Sequence, residues 1–241
     1  MILAITSICV ENPMLVKVQK QILSLVTEEY PQVYLVGGTA ISLLYDHRIS
    51  EDLDFFTQKY SSKLHKEIVA FIRAKTGFKY RLVEEERRKK YLPMAVYEFR
   101  IGSGLVLKVD FVKDMAELFQ QRDKNGIANI EDLYYRKMLA VVGWKAGESK
   151  VGKALAGGRQ KTKDLFDVYY LSAHVKLLSQ WFPSHFDQNA YERLTAWYFG
   201  IPRQKTVMEL LDLVPHCDTK LIFKHLDDEI IHQLNREYAG I

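Results

Sequence analysis

Apolar positions in the first half of the chain change their spacing several times. After Asn12-Pro13, a capping residue and a proline suited to a first helical turn, Leu15, Val18, Ile22, Leu25 and Val26 recur at helical spacing until Pro31. This predicts an amphipathic helix. The run "VYLV" at 33–36 reads as a short buried strand, Gly37-Gly38 as a tight turn, 39–46 as a short helix, and "DLDFF" as a second strand. Ser61 or Ser62 caps a further helix, with Leu64, Ile68, Phe71 and Ile72 on one stripe and Gly77 as its stop. Strands are predicted over 78–83, 94–101 and 105–112, the last two joined as a hairpin through Gly102-Ser103-Gly104, and the charged run Glu84 to Lys90 reads as an exposed loop.

Past "RDKNG" at 122–126 the strand signals fade. Helical spacing dominates over 130–144, 163–175, 188–199, 204–213 and 217–238, punctuated by Pro183, Pro202 and Pro215. The aromatic residues Tyr191, Trp197, Tyr198 and Phe199 read as core of that half rather than as a base-stacking platform. The expected architecture is therefore α+β: a mixed sheet with flanking helices over 1–125, then an all-helical domain over 126–241. No internal repeat is visible at solenoid periods.

Composition adds bounds. Hydrophobic residues make up 48% of the 241 positions and charged residues 27%, ordinary values for a folded chain and not for a disordered or fibrous one. Two cysteines, Cys9 and Cys217, are too few for a disulfide scaffold and fit a reducing, cytoplasmic setting. The apolar opening "MILAITSICV" lacks a basic start and makes a poor signal peptide, and no run of about 18 apolar residues predicts a membrane span. The seven histidines are scattered without zinc-ligand spacing. Net charge is +4, and between Gly143 and Lys163 the chain carries Lys145, Lys150, Lys153, Arg159, Lys161 and Lys163 against Glu148 alone. Such a stretch is either a solvated loop or a surface for a polyanion.

The candidate chemistry lies in "LVGGTAISLLYDHRISEDLDFF", residues 35–56. A Gly-Gly pair between strand and helix lets a phosphate approach the backbone, where the first helical turn offers N–H groups and a positive dipole end, and Thr39 adds a hydroxyl. Gly37, Gly38 and Thr39 are thus candidate nucleotide-binding residues, although an isolated Gly-Gly is more readily a plain turn. Asp52 and Asp54 alternate with Leu53 and Phe55, so both carboxylates share one strand face, where they repel unless a cation lies between them. Arg48 is the nearby cation, a partner for Asp54 or a further nucleotide contact. A third acid, Asp110, lies inside the strand "LVLKVDFV". Hard divalent ions take carboxylate and phosphate oxygens together, so Asp52, Asp54 and Asp110 are the expected metal ligands. Two magnesium ions about 3.5–4 Å apart would suit phosphoryl or nucleotidyl transfer.

In the helical half, Lys137 falls on the apolar stripe of its helix with Leu133, Ala140, Val141 and Trp144, either snorkelling or turned toward a cleft. Asp164 and Asp167 lie three apart in "RQKTKDLFDVYYL", with Arg159 and Lys163 upstream; a first-turn acid also stabilises a helix dipole.

"GGTAISLLYDHRISEDLDFF", "KVDFV", "KMLA" and "KDLFDVYYL" together resemble the AbiEii/AbiGii toxin family of the polymerase-beta-like nucleotidyltransferase superfamily, over roughly residues 30–171. The resemblance implies a nucleotidyltransferase fold, with Gly38 and Thr39 at the triphosphate, Asp52, Asp54 and Asp110 on metal, Lys137 on the nucleotide phosphates and Asp164 as a required acid. Beside Asp164, Lys163 is a further candidate nucleotide-binding residue on its position in the sequence alone, whereas the family resemblance is what carries the rest. It further implies magnesium-dependent transfer of a nucleoside monophosphate from a nucleoside triphosphate to RNA, tRNA 3′ ends in particular, by the toxin of a type IV toxin–antitoxin or abortive-infection system with a cognate antitoxin. The alternatives are a protein or small-molecule hydroxyl as acceptor, or a non-catalytic nucleotide-binding protein.

Overall fold

The structure is a computed structural model that describes residues 12–86, 91–102, 104–143 and 161–239. Two compact units emerge, one ending at Leu133 and the other beginning at Tyr134. Among the described residues no helix is long and apolar enough to cross a membrane.

The first unit opens with helix α1 (Pro13–Glu29), whose N-terminus is closed by Asn12, its side chain accepting from the N–H groups of Met14 and Leu15. Strand β1 (Tyr34–Val36) runs straight into α2 (Gly37–Tyr45), followed by β2 (Asp52–Thr57) and α3 (Ser62–Thr76). Ser61 caps α3, and Gly77, at φ 74°, ends it. Strands β3 (Lys79–Glu86), β4 (Met94–Gly102) and β5 (Leu105–Lys113) complete a sheet of order β1-β2-β5-β4-β3. β2 and β5 pair in parallel and every other neighbouring pair is antiparallel, which makes the sheet mixed.

Two expectations for the first unit need correcting. Gly37-Gly38 does not form a separate turn before a helix starting at residue 39; the helix begins at Gly37 itself, whose φ of 81° makes the strand-to-helix change of direction in one residue. The run from Glu84 is not all loop, since Glu84, Glu85 and Glu86 pair with Val96, Ala95 and Met94 after a register shift at Leu82. β3 is one edge of the sheet, where a row of charges is tolerated and discourages further strand pairing. Residues 87–90 lie outside the described residues.

Register sorts the sheet into two faces. Leu35, Leu53, Phe55, Leu107, Val109, Phe111, Tyr97 and Phe99 share one face and are all buried, and α1 and α3 contribute Ile22, Val26, Ile68 and Ile72 to the same core. The Phe55 and Phe111 rings stack with centroids 5.7 Å apart. Burying each of these large side chains stabilises the unit by about 1.5–3 kcal/mol, which pins the register of β2 against β5. The opposite face carries Asp52, Asp54, Lys108 and Asp110. A one-residue slip would turn the acids into the apolar core and the phenylalanines out of it, so the core fixes where the acids point.

Helix α4 (Ile130–Val142) spans the boundary between the units. The second unit continues with α5 (Thr162–His174), α6 (Leu178–Trp181), a 3₁₀ turn at Phe182–Ser184, α7 (Gln188–Phe199), α8 (Arg203–Leu213) and α9 (Thr219–Leu226), then a π-helical stretch, Asp227–Gln233, and α10 (Leu234–Ala239). The single helix expected over 217–238 is thus interrupted. Within the π stretch Glu229 is buried and accepts the N–H of Ser179 at 2.7 Å, while Asp227 is held by Arg203 and by the Tyr198 hydroxyl. Tyr134 stacks on Trp181 at 4.1 Å in the core. Tyr191, Trp197 and Tyr198 are buried as expected, but Phe199 is not core: it is 67% exposed at the C-terminal end of α7.

Candidate active site

Asp54 stands at the centre of the polar sheet face because of what flanks it in register. Val36, the last residue of β1, pairs with it on one side, and Asp110 of β5 lies directly opposite on the other. The residue after Val36 is Gly37, and a Cβ built there would lie 2.2 Å from Asp54 Oδ2. Glycine is therefore required twice, for its positive φ and for the carboxylate packed against the backbone. That carboxylate meets the start of α2, where Val36 offers no capping side chain and an anion is favoured by the helix dipole.

Thr39 is buried in the first turn of α2. Its hydroxyl donates to the Asp52 carbonyl and shares a 2.7 Å bond with the Ser50 hydroxyl, so it ties the helix to the start of β2. Arg48 is also buried, its Nη1 donating to the Ile49 carbonyl at 2.9 Å, and its own carbonyl accepts the Ser42 hydroxyl. The loop joining α2 to β2 is thereby braced from both ends.

Asp110 is buried, with one oxygen engaged and one not. Lys108 Nζ lies 2.6 Å from Oδ2, whereas Oδ1 is buried without a hydrogen-bond partner. Burial raises the Asp110 pKa above the ordinary carboxylate value; Lys108 pulls the other way without overcoming it, and Asp52 and Glu84 add to the rise. Partial burial works against the charge on Lys108. Its bond to Asp110 and the fields of Asp110, Asp52 and Asp54 outweigh that and raise its pKa. Lys108 lies opposite Asp52 in register and is a cation set within this acidic face. Sequence reasoning overlooked it, although "KVD" places it two residues from Asp110 and so on the same side.

Among the described residues, no three His, Cys, Asp or Glu side chains already converge as a metal site. The donor set nonetheless fits a hard divalent ion: three carboxylates share one face, an orphaned buried oxygen belongs to one of them, and the backbone beside another is hollowed by a glycine.

The helical unit holds a second cluster of singled-out residues. Lys137 does not snorkel to the surface. It is buried, with Nζ 2.8 Å from Asp164 Oδ1 and 2.7 Å from Asp167 Oδ2, and both aspartates are fully buried. Asp164 is thus more than a first-turn acid facing water. The i, i+3 spacing of the two acids, with fully buried Leu165 and Val168 between and beside them, was the signal that both lie on an inward side of α5. Lys163 lies half-buried in the first turn of α5. Arg159 and the basic residues from Lys145 to Lys153 lie outside the described residues.

Residues 24–238 match the family described as nucleotidyl transferase AbiEii toxin, type IV TA system. The crystal structure of JHP933 from Helicobacter pylori superposes with a TM-score of 0.57 at 18% identity, covering 95% of this chain and 97% of that one. A presumptive nucleotidyltransferase from H. pylori superposes at 0.56 and 18%, covering 93% and 96%. At this identity the likeness to both structures speaks for the fold alone. No curated protein shows significant similarity to the chain. The sheet with its acid-bearing face and the helical second half accompany a family match over most of the sequence: the chain belongs to the AbiEii family of nucleotidyltransferases, the toxins of type IV toxin–antitoxin systems.

Proposed function

We propose that this nucleotidyltransferase moves a nucleoside monophosphate from a nucleoside triphosphate to a hydroxyl of RNA, the 3′ end of tRNA in particular, with magnesium as the divalent ion. The observation that carries the reading is the shared sheet face of Asp52, Asp54 and Asp110, with the Asp110 Oδ1 atom buried and unbonded. Those three side chains would hold magnesium, which when bound neutralises triphosphate charge and makes an acceptor hydroxyl more acidic.

The chain's own contribution is positioning. Gly37 brings the backbone at the start of α2 against the acids, so a phosphate and a metal-binding carboxylate can occupy adjoining places. Thr39 holds the start of β2 to that helix, fixing Asp52 relative to Gly38. The apolar face beneath keeps Asp54 and Asp110 in direct opposition. Little covalent work falls to the protein in nucleotidyl transfer, where orientation and charge neutralisation dominate. Lys137 and Asp164 enter the reading through the family resemblance, and Lys163 as the basic residue beside Asp164.

RNA as acceptor is supported by the basic stretch from Lys145 to Lys163, since phosphate neutralisation gives affinity independent of sequence. A cognate antitoxin is the partner that a type IV toxin implies, and the cytoplasm, which holds triphosphates and RNA together, is the proposed setting. The test is incubation of the full chain with magnesium, each α-³²P-labelled triphosphate in turn, and either total RNA or total protein. Label on RNA, with binding that weakens steeply as salt rises, supports the reading. Label on protein alone, or none on any acceptor despite magnesium-dependent triphosphate binding, overturns it.

A further inference from the structure

The acidic face poses a problem before any metal arrives. Asp54 and Asp110 are directly opposed, Asp52 lies two residues from Asp54, and like charges at such positions destabilise a sheet. Lys108 answers it from within the same two strands: it pairs with Asp52 in register and places its ammonium 2.6 Å from Asp110 Oδ2. Its side chain is 41% exposed, while that of Asp110 is 9% exposed. The cation is therefore on a flexible stem at the surface of the cluster and the anion is fixed beneath it. A lysine in that position can leave; a planar, forked arginine held by two bonds would leave less readily.

We propose that Lys108 is a resident counter-ion of the carboxylate cluster that a divalent ion displaces and that then turns to the triphosphate. The inference rests on the nucleotidyl-transfer reading above and deepens it. With a divalent ion held among the carboxylates, an ammonium a few ångströms away would be repelled from Asp110 and would need another anion, since Glu98, opposite it on β4, is already paired with Arg81. The phosphates of an incoming nucleotide supply one. Metal alone then competes with Lys108 and binds weakly, whereas metal and nucleotide bind cooperatively because each relieves the cost of the other. Such coupling is reciprocal: nucleotide tightens metal by the same factor that metal tightens nucleotide. Lys108 is on this account a positioning residue that selects the metal–nucleotide complex over either component.

The test follows free Mn²⁺ by electron paramagnetic resonance, with the full chain as wild type, Lys108→Met, Lys108→Arg and Asp54→Asn. Each is titrated alone and with a saturating non-hydrolysable α,β-methylene triphosphate. Removing one positive charge beside a divalent ion in a partly solvated site should tighten Mn²⁺ alone roughly tenfold in Lys108→Met. The same variant should lose most of the nucleotide's enhancement of Mn²⁺ binding, whereas Lys108→Arg, holding Asp110 more firmly, should bind Mn²⁺ alone less tightly than wild type. Should Lys108→Met fail to fold, Lys108→Gln takes its place. Equal Mn²⁺ affinity and equal enhancement in wild type and Lys108→Met, with binding lost in Asp54→Asn, would overturn the role of Lys108 and leave the metal site standing. Equally weak Mn²⁺ binding in all variants, Asp54→Asn included, would overturn the metal site and the inference with it.

Discussion

Gly37 and Asp54 exclude any alternative to glycine between them: a Cβ on Gly37 would meet Asp54 Oδ2 at 2.2 Å, on a residue whose φ is 81°. Gly37→Ala therefore combines a left-handed backbone penalty of about 1–2 kcal/mol with displacement of a candidate metal ligand. Gly77 provides the control, since its φ is 74° but nothing lies within 4 Å of a built Cβ. Gly77→Ala should lower stability by about 1 kcal/mol and leave transfer intact. Gly37→Ala should lower stability more and reduce transfer by roughly a hundredfold, the loss expected when preorganised charge stabilisation is removed. Urea unfolding and turnover on the two variants make the comparison. Equal activity in both would mean that the Asp54 carboxylate need not rest where the structure has it.

Asp54→Asn and Asp110→Asn test the acids without changing their shapes. Transfer should fall roughly a hundredfold or more in each. The folds should survive, because Leu53, Phe55, Val109 and Phe111 on the other face are untouched. At Asp110 the amide removes a charge that burial disfavours but also the partner of Lys108, so the thermal midpoint should change little. Circular dichroism melts run beside the activity assay would show whether lost transfer is lost chemistry or lost structure.

The alternation in "DLDFF" and "KVDFV" made the acid-bearing face legible, because a period of two allows one choice of which side faces the core. That Asp54 and Asp110 stand directly opposite was not legible: register between β2 and β5 is set by packing of segments more than fifty residues apart. Lys108 is legible by the same rule, since the period of two that aligns the acids puts it on their side of β5. The helix starting at Gly37 was hidden because a glycine pair signals a turn unless its φ is known. The π-helical stretch at Asp227–Gln233 escaped because apolar residues at Ile222, Leu226, Ile230 and Leu234 keep a spacing of four throughout. Lys137 was placed correctly on an apolar stripe, but the sequence could not reveal that two aspartates from α5 would meet it there.

Those aspartates change what a Lys137 variant would mean. With Lys137 buried and its ammonium within 2.8 Å of Asp164 and Asp167, Lys137→Met leaves two buried carboxylates without this cation. Breaking a buried pair in this way costs about 3–5 kcal/mol. The variant should melt well below wild type, and its transfer should fall further than its loss of folded protein accounts for. The triple variant Lys137→Met, Asp164→Asn, Asp167→Asn removes the stranded charges and should recover part of the stability. Activity that stays absent in the refolded triple variant would support a direct role for the cluster in transfer. Unchanged melting in Lys137→Met would show that the ion pairs do not hold the helical unit.

A pH dependence should arise at His225. Its Nε2 shares a 2.8 Å bond with the Ser172 hydroxyl, which also accepts the Leu178 N–H at 3.0 Å. Burial lowers the His225 pKa below the ordinary 6.5; Glu229 and Asp228 oppose the shift, and His174 adds to it. A histidine with a lowered native pKa takes up its proton more readily in the unfolded chain. The stability it lends is full above pH 6.5 and is lost as pH falls through that value toward the lower native one. His225→Gln removes the titration along with the bond to Ser172, whose loss costs about 0.5–1.5 kcal/mol. Wild type should thus be the more stable protein at pH 8, and the gap should narrow steadily toward pH 5. Denaturant midpoints measured across that range give the comparison, and because the remaining histidines are common to both proteins their titration cancels in the difference. A gap independent of pH would mean that His225 remains neutral in both states or titrates alike in both, and that its contact with Ser172 is the whole of its contribution.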